Sequence, residues 1–245
     1  MSILPRIAVL LMVLLCLGCQ VTETIYVRQD GTGNINLEIL RMEQSYQQLV
    51  GERYNENEVF KDTTYVFDDY ITKYNDTFSK LSPEDKAVFD AYKGVQVHIK
   101  RNPYEKEFRT IYKQNFDRAS QIADLYKTQE YVSDIVHNYA LSADEHYYKV
   151  AYQFDQNKFR RVVTIIDTER LKKEQEEIIR VKKKIAGQKV HQKLTLKYFF
   201  PKKIQTVSIP NAKISADKQA VEITFNLIDA LMNPESTSVT IQFEP

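Results

Sequence analysis

Residues 24–40 read TIYVRQDGTGNINLEIL, and this stretch decides the fold. Ile25 and Val27, then Ile35, Leu37 and Ile39, alternate with polar residues at the period of two that lines up one face of a strand. Between the runs sits Asp30-Gly31-Thr32-Gly33, where Asp-Gly accommodates the positive φ of a tight hairpin turn. A glycine-rich phosphate loop is the rival reading, but the stretch lacks both the Lys-Ser/Thr of a P-loop and the spacing of GxGxxG. The chain is therefore expected to contain a β-hairpin with one apolar face, which must be covered by another layer.

Outward from the hairpin, Arg41 to Gly51 carries Met42, Tyr46, Leu49 and Val50 at helical spacing, completing a strand-strand-helix unit. The order recurs. Val95, Val97 and Ile99 alternate, Asn102-Pro103 breaks the run, Phe108 to Phe116 returns, and Asp117 is positioned to cap a helix to about Lys127. A third unit has Tyr148, Val150, Tyr152 and Phe154, a turn at Asp155-Gln156-Asn157, a strand over Phe159 to Ile166, and a helix from Asp167 or Thr168 to about Ala186 before Gly187. The units begin near residues 24, 95 and 148, too irregularly for a solenoid. The fold class expected is α+β: an antiparallel sheet of strand-strand-helix units, with helices on one face and a β-rich C-terminal segment.

Between the first two units, Asn55 to Leu81 is rich in Tyr, Asn, Asp and Thr, and Ser82-Pro83 starts a short helix through Ala91 and Tyr92 that Gly94 ends. The helix over Glu169 to Ala186 carries an apolar stripe of Leu171, Ile178, Val181 and Ile185. Its Lys172-Lys173 and Lys182-Lys183-Lys184 are interleaved with Glu174, Glu176 and Glu177, which reads as a solvated face and not a basic patch. From Leu194 onward, strands are expected at Leu194 to Tyr198, Ile204 to Val207, Lys213 to Ser215, Val221 to Phe225 and Val239 to Phe243. One helical turn is expected at Leu227 to Met232, before Asn233-Pro234.

The amino terminus has its own signature: Arg6, an unbroken apolar run from Ile7 to Leu17, then Leu17-Gly18-Cys19. Eleven apolar residues at ~1.5 Å per residue reach only ~16 Å, about half a bilayer core, so a secretory segment fits better than a membrane span. The run resembles the signal peptide and lipobox of a bacterial lipoprotein, although Cys16 stands where that motif favours Leu. The resemblance implies cleavage between Gly18 and Cys19 and lipidation of Cys19, whose two or more acyl chains would anchor the body stably. The organisation expected is thus a signal peptide over 1–18, an α+β body over 19–193, and a β-rich segment over 194–245 that belongs to the same domain.

Composition narrows the chemistry. Both cysteines, Cys16 and Cys19, lie in the leader region, so a body cleaved before Cys19 has no disulfide and no thiolate metal or nucleophile site. Lys and Arg total 34 against 33 Asp and Glu, a balance that argues against nucleic acid as a partner. No Gly-x-Ser-x-Gly elbow occurs. The four histidines, His98, His137, His146 and His191, are scattered; Asp144-Glu145-His146 lacks a helix-face ligand spacing with His137, and Asp68-Asp69 with Asp76 lacks an EF-hand pattern. No metal, cofactor or catalytic residue is therefore assigned. The chain has 16 Tyr, 12 Phe and no Trp, and clusters such as Tyr65, Phe67 and Tyr70, or Tyr147, Tyr148 and Tyr152, read as core and cross-strand packing before they read as a ligand groove.

Taken together, the cleavable start, the strand Thr24 to Arg28, the Asp30-Gly31-Thr32-Gly33 turn, and the ending from Phe200-Pro201-Lys202-Lys203-Ile204 through Ala216-Asp217 to Asn233-Pro234 resemble uncharacterised lipoproteins of Gram-negative envelopes. The resemblance implies a membrane partner reached through the lipid anchor and adds no catalytic residue. Gln20 is not the Asp that retains some enterobacterial lipoproteins at the inner membrane, which favours the outer one. The expected role is non-enzymatic: a binding or assembly factor for an envelope protein or glycan. Its rivals are a carrier of an apolar ligand in a half-barrel, and a hydrolase with an unrecognised site.

Overall fold

The structure is a computed structural model that describes residues 19–41, 59–102, 104, 107–137, 146–184 and 192–245. The leader with Gly18, the helix expected after Arg41, Asp144-Glu145 and His191 lie outside the described residues. The hairpin is present as β1 (Cys19–Val27) and β2 (Gly33–Arg41), antiparallel from Cys19↔Arg41 to Val27↔Gly33. Its turn is closed by Arg28 N–H on Thr32 O at 2.8 Å and Gly31 N–H on Arg28 O at 3.0 Å, with Gly31 at φ 85°. Asp30 Oδ1 braces it by accepting from Thr32 N–H at 3.0 Å and Thr32 Oγ1 at 2.8 Å.

The remaining strands follow in chain order: β3 (Lys61–Val66), β4 (Gln96–Asn102), β5 (Glu107–Phe116), β6 (Tyr148–Phe154), β7 (Lys158–Ile165), β8 (Lys193–Phe199), β9 (Ile204–Val207), β10 (Lys213–Ile214), β11 (Ala220–Asn226) and β12 (Val239–Phe243). An eight-stranded sheet has the order β10-β11-β8-β1-β2-β5-β4-β3, and a four-stranded sheet has the order β6-β7-β12-β9. Pairing is antiparallel throughout except for β1 with β8, which run parallel from Gln20↔Lys193 to Tyr26↔Phe199. The α+β class is as expected, and the C-terminal segment contributes β8 and β11 to the interior of the large sheet.

Helices connect these strands: α1 (Phe67–Lys73), α2 (Asn75–Phe78), α3 (Pro83–Asp90), α4 (Thr128–His137), α5 (Thr168–Lys184) and α6 (Leu227–Met232). Their starts follow local chemistry. Ser82 Oγ accepts from Asp85 N–H at 3.0 Å, Asp167 Oδ1 from Arg170 N–H at 2.9 Å, and Asn226 Oδ1 from Asp229 N–H at 3.2 Å. One expectation fails. The helix placed from Asp117 to Lys127 is instead two 3₁₀ turns, Ala119–Gln121 and Leu125–Lys127, with the α-helix beginning only at Thr128. Ile122, Ala123 and Leu125 are all buried and leave no solvent face for a regular helix, and the Asp124 carboxylate is occupied by Val150 N–H at 3.0 Å.

The alternation in β1, β2, β5 and β8 gives the large sheet one buried face, carrying Val21, Ile25, Ile35, Leu37, Tyr112, Leu196 and Tyr198. Side chains on this face reach the connections above it. Gln114 donates to Ala91 O at 3.1 Å and accepts from Ala123 N–H at 2.9 Å, and Phe159 of the small sheet packs on Tyr198 at 5.0 Å between ring centroids. Helical connections and small sheet therefore cover the same face. The opposite face, with Thr22, Thr24, Asn34, Asn36, Lys113 and Thr195, stays polar and partly open.

Candidate functional site

Position along β1 separates the molecule into two ends. Cys19 opens the strand, and Val27 leads into the hairpin turn. At ~3.3 Å per residue the two ends lie roughly 26 Å apart. β1 begins five residues before the expected Thr24, because Glu23 stands at an apolar-phase position and interrupts the pattern.

Four connections converge at the hairpin end and enclose a cleft of about 520 Å³. Gln29 to Gly31 come from the hairpin turn, Asp117 to Ser120 from the end of β5, Gln153 to Gln156 from the β6–β7 turn, and Pro201-Lys202 from the end of β8. The acids here serve their own turns. Asp30 is held below the usual carboxylate range by the Thr32 hydroxyl and amide, and Asp155 by the Asn157 and Lys158 amides at 2.8 and 2.9 Å. Lys202 Nζ donates to Gln156 O at 2.8 Å. Lowered carboxylates are poor proton donors near neutrality, so this mixed-charge cleft is suited to polar recognition more than to general acid chemistry.

On the open face of the sheet at the same end, Tyr26 stacks on Phe199 with centroids 4.4 Å apart and planes 10° from parallel, and Tyr26 remains 44% exposed. Register places Asn34 beside Tyr26 and Asn115 beside Asn34; the next row holds Lys197, Thr24, Asn36, Lys113 and Gln96. Asn34, Asn36, Gln96, Lys113 and Asn115 line a second cavity of about 220 Å³, and Asn36 Oδ1 is buried with no hydrogen-bond partner among the described residues. An aromatic platform beside a row of side-chain amides offers stacking together with paired donors and acceptors.

Under the sheet lies a buried ionic network that sequence reasoning missed. Glu23 on β1 is 0% exposed and Arg161 on β7 is 2% exposed. Arg161 Nε lies 3.3 Å from both Glu23 oxygens, and Nη1 donates to Thr237 O at 3.0 Å and Thr237 Oγ1 at 2.9 Å. Tyr198 and Tyr126 donate their hydroxyls to Glu23 at 2.6 and 2.8 Å. Burial, then the Glu23 charge, push both phenols well above their ordinary range, so they stay protonated donors. Burial works against the Arg161 charge, but Glu23 and the surrounding tyrosines outweigh it and hold the guanidinium protonated.

A second titratable group surrounds Lys127. Burial raises Asp124 to about 6 and Glu130 to about 7, and among the described residues Asp124 Oδ1 and both Glu130 oxygens have no hydrogen-bond partner. His146 is pulled down to about 4 by burial and by the charges of Lys127 and Arg170.

The other residues singled out by sequence fall into structural roles. His98 Nε2 pairs with Asp62 Oδ1 across β3–β4 at 2.8 Å. Asp68 accepts from Gly94 N–H at 2.7 Å and Asp69 from Val66 N–H at 3.0 Å, so both cap backbone. Among the described residues no three His, Cys, Asp or Glu come together as metal ligands. Tyr65 packs edge-on to Tyr70 at 4.8 Å and Tyr147 on Tyr148 at 5.0 Å, while Phe67 is fully buried. Ion pairs on α5 include Lys172–Glu169, Arg180 with Glu176 and Glu177, and Lys182–Asp229. Glu176 and Glu177 thus supply i,i+4 and i,i+3 partners as expected, though to Arg180, while Lys172 and Lys182 pair with Glu169 and Asp229.

No protein-family model matches the chain, and no curated protein matches it. Among solved structures, the folded domain of the LppM protein of Mycobacterium tuberculosis is similar at a TM-score of 0.37 and 6% identity, over 93% of this chain and 90% of that one. So low a TM-score leaves function to be read from this chain's own residues. Among the described residues no helix is long and apolar enough to cross a membrane.

Proposed function

We propose that the protein is an envelope lipoprotein, anchored through an acylated Cys19, that acts without catalysis as a binding factor for an envelope glycan. The observation that carries this reading is the placement of its two ends. Cleavage before Cys19 would leave every described strand in the mature chain and put the anchor at one end of β1, while the Tyr26–Phe199 platform and the amide rows opposite Tyr26 and Thr24 sit roughly 16–23 Å away. Sugars present apolar faces ringed by hydroxyls. Stacking on an exposed aromatic with hydrogen bonds from Asn34, Asn115 and Asn36 matches that chemistry. An envelope protein as partner is the alternative, favoured by the mixed charges of the four-loop cleft.

Two measurements test the parts separately. Intact mass and membrane fractionation in the native host should give a mature terminus at Cys19 with added acyl mass, both abolished with membrane association in Cys19→Ala. An unmodified wild-type chain would refute the anchor. Titration with soluble envelope glycan fragments should shift backbone amide NMR signals around Tyr26 and Asn34, and Tyr26→Ala should weaken binding by about tenfold, the loss of one stacking contact. Unchanged spectra would refute the glycan and leave the protein partner.

A further inference from the structure

We propose that the Cys19 end of the large sheet is a membrane-docking edge that seats Val59, Phe60 and Tyr104 in the interface of an anionic lipid surface, with Lys61 and Arg101 on its headgroups. The inference deepens the anchored reading but rests on different residues. Register carries one row straight across the sheet from the proposed anchor: Cys19↔Arg41, Arg41↔Phe108, Phe108↔Arg101 and Arg101↔Lys61. Four strand spacings of ~4.8 Å put the first residue of β3 roughly 19 Å from Cys19, along the same edge.

The three most exposed large apolar side chains among the described residues cluster at the far part of that edge. Val59 and Phe60 immediately precede β3 and are 82% and 55% exposed, and Tyr104 lies two residues past β4 and is 91% exposed. Among the described residues none of the three is packed against the core, and by register they meet at the mouth of one strand pair, where together they form an exposed apolar cluster. An amphipathic aromatic such as Tyr sits well at the boundary between acyl chains and headgroups.

Charge selects the occupant. Lys61 and Arg101 are exposed and opposite each other in register, and Lys193 lies exposed beside Gln20 at the same end of β8. Asp62 at this end is already paired with His98, and Glu107 stands opposite Asn102, one step off the row. The row itself thus presents Lys61 and Arg101, which complement an anionic headgroup layer, whereas a second copy of the same row would set these two cations against their like. An acyl chain and a basic apolar patch on one edge also fix the orientation, holding β1 with its hairpin turn pointing away from the lipid.

Because the native chain has no Trp, a single indole reports its own surroundings. The full chain would be produced in its native host as Tyr104→Trp and, separately, as Tyr26→Trp at the opposite end. Each would be reconstituted into phosphatidylethanolamine vesicles with and without phosphatidylglycerol, and quenched with lipids brominated near the headgroup. Trp at 104 should shift to the blue and be quenched, more so with phosphatidylglycerol, while Trp at 26 stays unquenched. Lys61→Gln and Arg101→Gln should each lower the ratio of docked to undocked protein by roughly fivefold. Intact mass separates the two readings. Quenching at 104 without acyl mass upholds the edge and overturns the anchor; acyl mass without quenching overturns the edge and upholds the anchor. A blue shift that follows protein concentration without lipid quenching assigns the edge to a second copy and overturns the proposal.

Discussion

Removing one partner of the Glu23–Arg161 pair should be among the most damaging single changes available to this fold. Both side chains are buried, 3.3 Å apart at Nε and joined by Tyr198 and Tyr126, so neither reaches bulk solvent for a substitute partner. Glu23→Gln keeps the shape but strands the guanidinium, which costs about 3–5 kcal/mol when a buried pair is broken. Replacing both partners by apolar residues, as in Glu23→Leu with Arg161→Met, removes both charges together and should cost much less than the single change, since such swaps are often close to neutral. Urea unfolding followed by far-UV circular dichroism reads the difference. With a slope of about 2.5 kcal/mol/M, a loss of ~4 kcal/mol moves the midpoint down by roughly 1.6 M. Tyr198→Phe, which deletes one hydrogen bond to a charged acceptor, supplies a graded variant at about 1.5–3 kcal/mol should Glu23→Gln fail to fold. A Glu23→Gln loss below about 1 kcal/mol, or a double variant as unstable as the sum of its single changes, would refute the reasoning.

Further expectations concern pH and packing. Glu130, raised to about 7, is protonated in the fold below that pH while the unfolded chain ionises near its ordinary 4.5, so stability falls as pH rises between about 4.5 and 7. Glu130→Gln should be more stable than the parent by about 3 kcal/mol at pH 8 and equal to it near pH 4, measured by urea midpoints across pH; equal curves would show the carboxyl to be solvated. His146, lowered to about 4, acts in the opposite direction: its contribution is whole above about 6.5 and lost as pH falls towards 4, and His146→Gln should flatten that limb. A Cβ at Gly33 would stand 2.1 Å from Tyr26 O and 2.5 Å from the Phe116 ring, so Gly33→Ala should cost more than ~2 kcal/mol in thermal or urea unfolding, and a variant of parental stability would contradict the packing at the hairpin base.

The hairpin, the β4–β5 and β6–β7 strand pairs, the helix α5 that follows the latter, and all five C-terminal strands are legible in the sequence because each rests on local alternation and turn chemistry. The parallel β1–β8 pair is not, since nothing in residues 20–26 names a partner some 170 positions away. β3 is hidden because its residues are mostly exposed and carry no alternation. The ionic network left a trace that was readable only in pairs. Glu23 and Arg161 each occupy an apolar-phase position of an otherwise alternating strand, and two opposite charges placed this way can both be buried only if they meet. The docking edge could not be read at all, because exposure of Val59, Phe60 and Tyr104 is a property of the assembled sheet.

Strand β8 also sets when this chain can finish folding. β1 is flanked by β2 from its own hairpin and by β8 from residues 193–199, and Glu23 draws its hydrogen bonds from residues 126, 161 and 198. A chain that has emerged only as far as β7 has an open hairpin edge and a carboxylate whose burial lacks the Tyr198 donor. Closure entropy for loops this long comes due before any of those contacts repay it. Nascent chains ending before residue 193 should therefore remain protease-sensitive through β1, and protection should appear abruptly once β8 and β11 have been made. If the chain is exported unfolded, as the proposed anchor requires, this topology acts as a delay line in which the amino-terminal strand gains its last partner only when nearly the whole chain is across.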